Sequence, residues 1–313
     1  MIRVDPLLGT PSVSLVVFDH PPGDAHRDPP REISEHHSIS FVEAGTFEVH
    51  TGGERWRFEP GSIFVAARGL EFSCRHDSEC PTDRCLSVSY RPQAVEDLLE
   101  AGVPAPRPRA ARQSARHRYL RHRLGSCAPG DELRVELIAG ALFESLATGG
   151  PSRPVRPSQG VTDVMRRVDR AVELIEADYA RPLTLQELAA AAMMSAYHFA
   201  RVFRELTGLP PHRYLTAVRL RHALQRLDDG ASVTQTCYDV GFASLSHFVT
   251  AFRKRFGFAP SAARRGERYP ALRASLGSPI WPIANQSKKT KAGPPGASYI
   301  ARIHEESSPS FER

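Results

Sequence analysis

The sequence predicts an α+β multidomain protein, with a β-rich N-terminal part and an all-α C-terminal domain. Three observations carry this. Between residues 10 and 90, short apolar runs alternate with turn residues. From Gln93 the apolar spacing changes to that of a helix. From Val161 to about Gly266 the chain reads as helix almost throughout, and that stretch repeats itself.

The expected strands are Ser14–Phe18, Ile39–Glu43, Thr46–His50, Trp56–Phe58, Ile63–Ala66 and Leu86–Tyr90. Glu43-Ala44-Gly45, Thr51-Gly52-Gly53 and Glu59-Pro60-Gly61 are turn sequences, so neighbouring runs read as hairpins. Many short strands at this spacing build a small barrel or a sandwich. Ala94–Ala101 is a short helix, and residues 104–123 are Pro- and Arg-rich with irregular ends. Asp131–Ala147 is a stronger helix, because Leu133, Leu137, Ile138, Ala141, Leu142 and Leu146 form one stripe. Thr148–Gln159 is rich in Gly, Pro and Ser and reads as a linker. Val161–Tyr179 is amphipathic, and Thr184 with Glu187 has the spacing of a capping box for the next helix. Past Gly266 the periodicity stops, and a disordered tail is expected. The resulting map is a β domain over 1–92, a helical segment over 93–147, a linker over 148–160, a helical domain over 161–266 and a tail over 267–313.

Composition narrows the function classes. Of 313 residues, 41% are hydrophobic and 24% charged, which supplies real cores and excludes a wholly disordered chain. No run of about 18 apolar residues occurs, so no membrane partner is expected. The N-terminus lacks the pattern of a signal peptide, and five cysteines fit a reducing cytoplasm better than a disulfide framework. Walker, G-x-G-x-x-G and G-x-S-x-G patterns are absent, and no cofactor is implied. The net charge of +6 permits nucleic acid as a partner. Its placement is more telling: residues 195–266 hold 11 Lys plus Arg against 4 Asp plus Glu.

The repeat has an offset of 49 residues. Ser195, His198, Phe199, Phe203, Arg204, Gly208 and Pro211 align with Ser244, His247, Phe248, Phe252, Arg253, Gly257 and Pro260. Each unit is a short helix, a tight connection, and a second helix opened by a serine N-cap. The first buries Phe199, Val202, Phe203 and Leu206; the second buries Leu245, Phe248 and Phe252. What stays outward is basic or hydroxylic. This is helix-turn-helix organisation, over 185–206 and 233–256. A helix fits the major groove, where Arg reads guanine and Ser or Thr serves either edge, while flanking Arg and Lys hold phosphates. Joined by the helix Pro211–Leu227, the two units are expected in successive major grooves, about 34 Å apart.

Residues 161–265 resemble the DNA-binding domain of the AraC/XylS family of transcriptional regulators. The resemblance rests on Ser195, Phe203, Gly208, Pro210 and Tyr214, on Arg219, Leu220 and Ala223, and then on Val240-Gly241-Phe242, Ser246-His247-Phe248, Phe252-Arg253-Lys254, Phe256-Gly257 and Pro260. The β-rich part looks cupin-like, which implies a barrel. The resemblance further implies sequence-specific promoter binding, usually activation, with RNA polymerase as partner. By position, base readers would be Tyr197, Ala200 and Arg201, then Leu245, Ser246, His247 and Thr250. Arg204, Arg253 and Lys254 would hold phosphates. The N-terminal domain would sense an unknown small-molecule effector or form a homodimer, with Leu133, Leu137, Ile138 and Leu142 as the dimer stripe.

Two rival readings belong to the N-terminal part. His36, His37 and Glu43 raise a cupin-type metal enzyme, although no histidine follows Pro60-Gly61 to complete the set. Cys74, His76, Cys80 and Cys85 raise a metal or redox sensor, but their spacing matches no common zinc motif. It likewise argues against a methyl-transfer repair sensor.

Overall fold

In the computed structural model, which describes residues 3–20, 31–76, 83–100, 102–148 and 159–264, the N-terminal alternation becomes two antiparallel sheets. The strands are β1 (Arg3–Gly9), β2 (Val13–His20), β3 (Glu32–Ile33), β4 (His37–Ala44), β5 (Phe47–Thr51), β6 (Glu54–Phe58), β7 (Ser62–Ala66), β8 (Glu71–His76), β9 (Asp83–Tyr90) and β10 (Arg109–Arg112). One sheet runs β1-β2-β9-β4-β7-β10, the other β3-β8-β5-β6. Gly52 and Gly53 both take positive φ between the paired ends Thr51 and Glu54, the two-residue hairpin geometry that only glycine adopts freely. Val42 and Cys85 of the first sheet share a core with Phe47, Val49 and Phe58 of the second. The arrangement is thus a sandwich of two sheets: among the described residues no ladder closes them into the barrel that the cupin resemblance implies. β1, β3, β8 and β10 go beyond the expected strands. β10 reads Arg-Ala-Ala-Arg, and its pairing with β7 gives it a strand conformation that its composition does not announce.

The helices are α1 (Pro92–Glu100), α2 (Ala115–Gly125), α3 (Glu132–Thr148), α4 (Gln159–Asp178), α5 (Leu185–Ala191), α6 (Ala196–Thr207), α7 (Pro211–Asp228), α8 (Val233–Asp239), α9 (Leu245–Phe256) and α10 (Pro260–Arg264). The chain divides into two compact units. Among the described residues, one holds the chain up to Val95 with Pro106–Arg112; the other holds Glu96–Ala105 and the chain from Gln113 to Arg264, so α2 and α3 pack in the same unit as α4–α10. Most of the expected linker (149–158) and all of the expected tail (267–313) lie outside the described residues.

α2 forms where the Pro- and Arg-rich composition suggested irregular chain. Ser114 and His117 make a reciprocal capping box, and His117, Tyr119, Leu120 and Leu124 turn inward. The Tyr119 hydroxyl donates to Asp169 on α4 at 2.8 Å, and the His117 ring meets Ser145 on α3 at 3.1 Å.

Two cores organise the C-terminal helices. Phe199, Val202, Phe203 and Leu206 of α6 pack with Val168, Val172 and Ile175 of α4 and with Tyr214 and Val218 of α7. Phe248, Phe252 and Phe256 of α9 pack with Leu220, Leu224 and Leu227, further along α7, and with Cys237 of α8. α7 therefore contributes one part of its length to each core. At about 1.5 Å per residue its 18 residues span roughly 27 Å. Arg219 on α7 ties this scaffold to the segment after α4: its Nε donates to the Tyr179 carbonyl at 2.7 Å and its Nη2 to the Arg181 carbonyl at 2.9 Å.

Candidate nucleic-acid interface

Both helix-turn-helix units use one turn chemistry. After α5, the Met193 amide donates to the Ala190 carbonyl and the Met194 amide to the Ala189 carbonyl, both at 2.9 Å. After α8, Gly241 donates to Tyr238 and Phe242 to Cys237, both at 3.0 Å. This paired pattern is the Schellman motif, which requires a left-handed residue just past the helix. Met193 (φ 51°) and Gly241 (φ 88°) supply it. Gly241 has a second reason to be glycine: an added Cβ would sit 2.8 Å from the Ala180 carbonyl carbon and closer still to its oxygen. The second turn is one residue longer, so the first helices of the two units are offset by 48 residues and the second helices by 49.

α6 and α9 are matched in their ends as well. Gly208 and Gly257 close them in left-handed conformations, their amides donating to the Arg204 and Arg253 carbonyls. Ser244 caps α9 by accepting the His247 amide, whereas the Ser195 side chain makes no cap bond. Thr184 and Glu187 make the expected capping box at α5. The Thr184 backbone and Arg181 hold the Glu187 carboxyl down to about 2.

The faces left outward carry the candidate readers. Tyr197 is 84% exposed, a large aromatic standing clear of the core. Arg201 and Arg204 are exposed on the same helix and Ala200 is half-buried beside them. On α9, Ser246, His247, Thr250, Arg253 and Lys254 are exposed, and Leu245 is half-buried against the second core. The aromatic residues at the core-facing positions, Phe199, Phe203, Phe248 and Phe252, are fully buried. Each second helix thus has an apolar face that fixes its seat and an opposite polar face rich in cations, with Glu205 on α6 as an exposed acid. Arg255 departs from its basic neighbours: it is half-buried, and burial pulls its guanidinium down to about 10.

The other candidates fare differently. Leu137 (8% exposed), Ile138 (3%) and Leu142 (0%) are interior side chains of this one chain, so the stripe read as a dimer surface is core at those positions. The reason is that α3 lies against α2. The side chains of Leu133 and His76, and Cys80 altogether, lie outside what the structure describes. Cys74 and Cys85 sit in or against the sandwich core, where burial pushes both thiols up, Cys85 to about 12. Neither is a ready thiolate. Glu43 is paired with Arg84 at 3.2 Å, and burial together with Arg68 lowers the pKa of His37. Among the described residues no group of three or more His, Cys, Asp or Glu side chains is placed to hold a metal ion, and no helix is long and apolar enough to cross a membrane.

Sequence reasoning missed two structural roles: Met193 as a left-handed turn residue and Arg219 as the clamp on the segment after α4. Both connections read as tight, but only at Gly241 does the residue type itself signal a left-handed turn.

Two helix-turn-helix units on a shared helix, each with a basic, hydroxyl-bearing outer face, define a DNA-binding transcriptional regulator. Residues 188–266 match the model of the helix-turn-helix domain family, and residues 14–147 match that of the AraC-like ligand binding domain. The chain belongs to the AraC family of transcriptional regulators. The HTH-type transcriptional activator RhaS of Klebsiella pneumoniae (strain 342) is 28% identical over 252 residues, covering 76% of this chain and 88% of that protein. Among solved structures, a probable AraC family transcriptional regulator from Rhodopseudomonas palustris CGA009 is 34% identical over 33% of this chain and 98% of that one, with a TM-score of 0.31. The DNA-binding domain of AdpA, a global transcriptional factor solved in complex with a target DNA, is 30% identical over 33% of this chain and 93% of that one, with a TM-score of 0.31.

Proposed function

We propose that this regulator acts in the cytoplasm as an activator, reading promoter DNA with both units and recruiting RNA polymerase. The observation that carries the reading is the duplicated outer face. Two helices seated on separate cores follow the same turn chemistry and expose the same histidine and arginine, His198 and Arg204 on one and His247 and Arg253 on the other. In the first unit Tyr197, Ala200 and Arg201 read bases; in the second Leu245, Ser246, His247 and Thr250 do so. Arg204, Arg253 and Lys254 hold phosphates and set the register. Similarity to RhaS, an activator by its name, supports the direction of regulation. The N-terminal sandwich is assigned to effector sensing, in keeping with its match to a ligand binding domain family. No catalytic role is assigned to any residue. Sedimentation of the full chain distinguishes a monomer carrying two reading units from a homodimer carrying four.

The test is transcriptional. Promoters bound by the full chain are selected, fused to a reporter and assayed with and without the regulator. Reporter output should rise with the wild-type chain and fall to the uninduced level with Arg201→Ala or Thr250→Ala. Output that falls when the wild-type chain is supplied would reverse the sign; output indifferent to both variants would remove the assigned readers.

A further inference from the structure

We propose that Glu144, on α3, is a positioning residue for DNA reading: through Arg255 it fixes the second reading helix, α9, relative to the first, α6. The inference rests on the reading that both units hold one operator. The repeat between the units breaks at a telling position. At the 49-residue offset Arg255, near the end of α9, stands where α6 has Leu206, a core side chain only 4% exposed. α9 thus carries a charge where its counterpart carries an apolar anchor. Arg255 is half-buried, and its guanidinium carbon lies 5.8 Å from the centre of the Phe256 ring, which belongs to the second core. A cation drawn into the protein needs an opposing charge nearby. Glu144 supplies it: burial lowers the pKa of Arg255, and the Glu144 carboxylate opposes the fall.

A second arginine ties Glu144 to the first unit. Arg116 Nη2, on α2, lies 3.8 Å from Glu144 Oε2, and both atoms are buried. They make no hydrogen bond, so charge alone joins them. Arg116 also lies against the end of α6: a Cβ at Gly208, the left-handed residue that closes that helix, would stand 2.8 Å from the guanidinium carbon. α2 itself packs on α6, and Arg123 of α2 donates to the Tyr214 hydroxyl at 3.5 Å. One carboxylate therefore serves two arginines, one lying on the end of α6 and the other belonging to the last turn of α9. Burial raises the Glu144 carboxyl to about 7, and Arg116 and Arg255 both pull it back. The leverage is geometric. α9 has 12 residues, about 18 Å of helix, so a tilt at Arg255 is carried to Ser246 and Thr250.

The experiment is fluorescence anisotropy of the full chain at about pH 8.5, where Glu144 is charged. It compares the selected operator with one carrying an extra base pair between its two parts. The insertion moves one part by about 3.4 Å and turns it by about 35°. The wild-type chain should prefer the native spacing about tenfold or more. Glu144→Gln and Arg255→Leu should each cut that preference about threefold or more, and the double variant no further than the stronger single change. Arg255→Lys keeps the charge and should keep the preference. Circular dichroism checks that each variant folds. A merely structural role would lower affinity for both spacings alike and leave the preference unmoved. An unchanged preference in a folded Glu144→Gln chain, additive losses in the double variant, or a wild-type chain that binds both spacings equally would overturn the proposal. Equal binding of both spacings leaves the promoter reading standing, since both parts are still held; a wild-type chain that binds neither operator sinks that reading, and this inference with it. If Glu144→Gln does not fold, Arg255→Leu, which installs the residue the first unit carries, decides alone.

Discussion

Replacing Gly241 by alanine should damage the second reading unit more than the same change at two other glycines with nearly the same backbone. Gly230 (φ 89°), Gly208 (φ 84°) and Gly241 (φ 88°) are all left-handed, so each alanine carries the same conformational penalty of about 1 kcal/mol. Their surroundings differ. Nothing lies within 4 Å of a Cβ at Gly230. At Gly208 the Cβ would meet the end of the Arg116 side chain at 2.8 Å, which can swing aside. At Gly241 it would strike the Ala180 backbone carbonyl, which cannot move without displacing the segment after α4. We therefore expect losses of about 1 kcal/mol for Gly230→Ala, about 1–2 for Gly208→Ala and about 3 or more for Gly241→Ala. Urea unfolding of the three variants, read by circular dichroism, measures the order. Equal losses at all three sites, or a Gly241→Ala loss within about 0.5 kcal/mol of Gly230→Ala, would refute the steric argument and leave backbone conformation as the whole effect.

Further outcomes follow from the outer faces, the cores and one ring. Arg201→Ala should cost about 1–3 kcal/mol on the selected operator and little on unrelated DNA, measured by fluorescence anisotropy. Arg253→Ala should weaken binding to all sequences alike and reduce the slope of log K against log salt by about one. Phe203→Ala should cost about 3–5 kcal/mol of stability, since the ring is fully buried in the core that α6 shares with α4 and α7, 5.4 Å from the Tyr214 ring. His222 stacks on Tyr179 at 3.9 Å, and burial with Arg221 nearby lowers its pKa to about 4. The unfolded chain takes up that proton near pH 6.5 and the folded chain only near 4, so the stability His222 contributes is present above pH 6.5 and lost as pH falls towards 4. An NMR titration should place the His222 midpoint well below that of an exposed histidine.

The sequence made the C-terminal half legible because its signals were local and doubled. Phe199 and Phe203 recur as Phe248 and Phe252 at one offset, and the structure buries all four as the periodicity requires. Thr184 and Glu187 form the capping box that their spacing predicts. Signals that depend on distant partners were not readable. α2 is rich in Arg and His, and its inward face becomes apparent only through Asp169 and Ser145, 50 and 28 residues away. Leu137, Ile138 and Leu142 of the α3 stripe are likewise core: an apolar face announces burial, but not whether its cover is another chain or this one. The pairing of two sheets, instead of a closed barrel, depends on register between strands that composition does not encode.

The central claim is that one chain reads DNA with two linked units. It is tested most directly by selecting binding sites from random duplexes with the full chain and footprinting the protein on the enriched sequence. The account predicts a bipartite motif whose two parts lie about one helical turn, roughly 10 base pairs, apart on one face of the duplex. Arg201→Ala should blur one part and Thr250→Ala the other. A single uninterrupted element indifferent to one of these changes, or no enriched sequence at all, would contradict it.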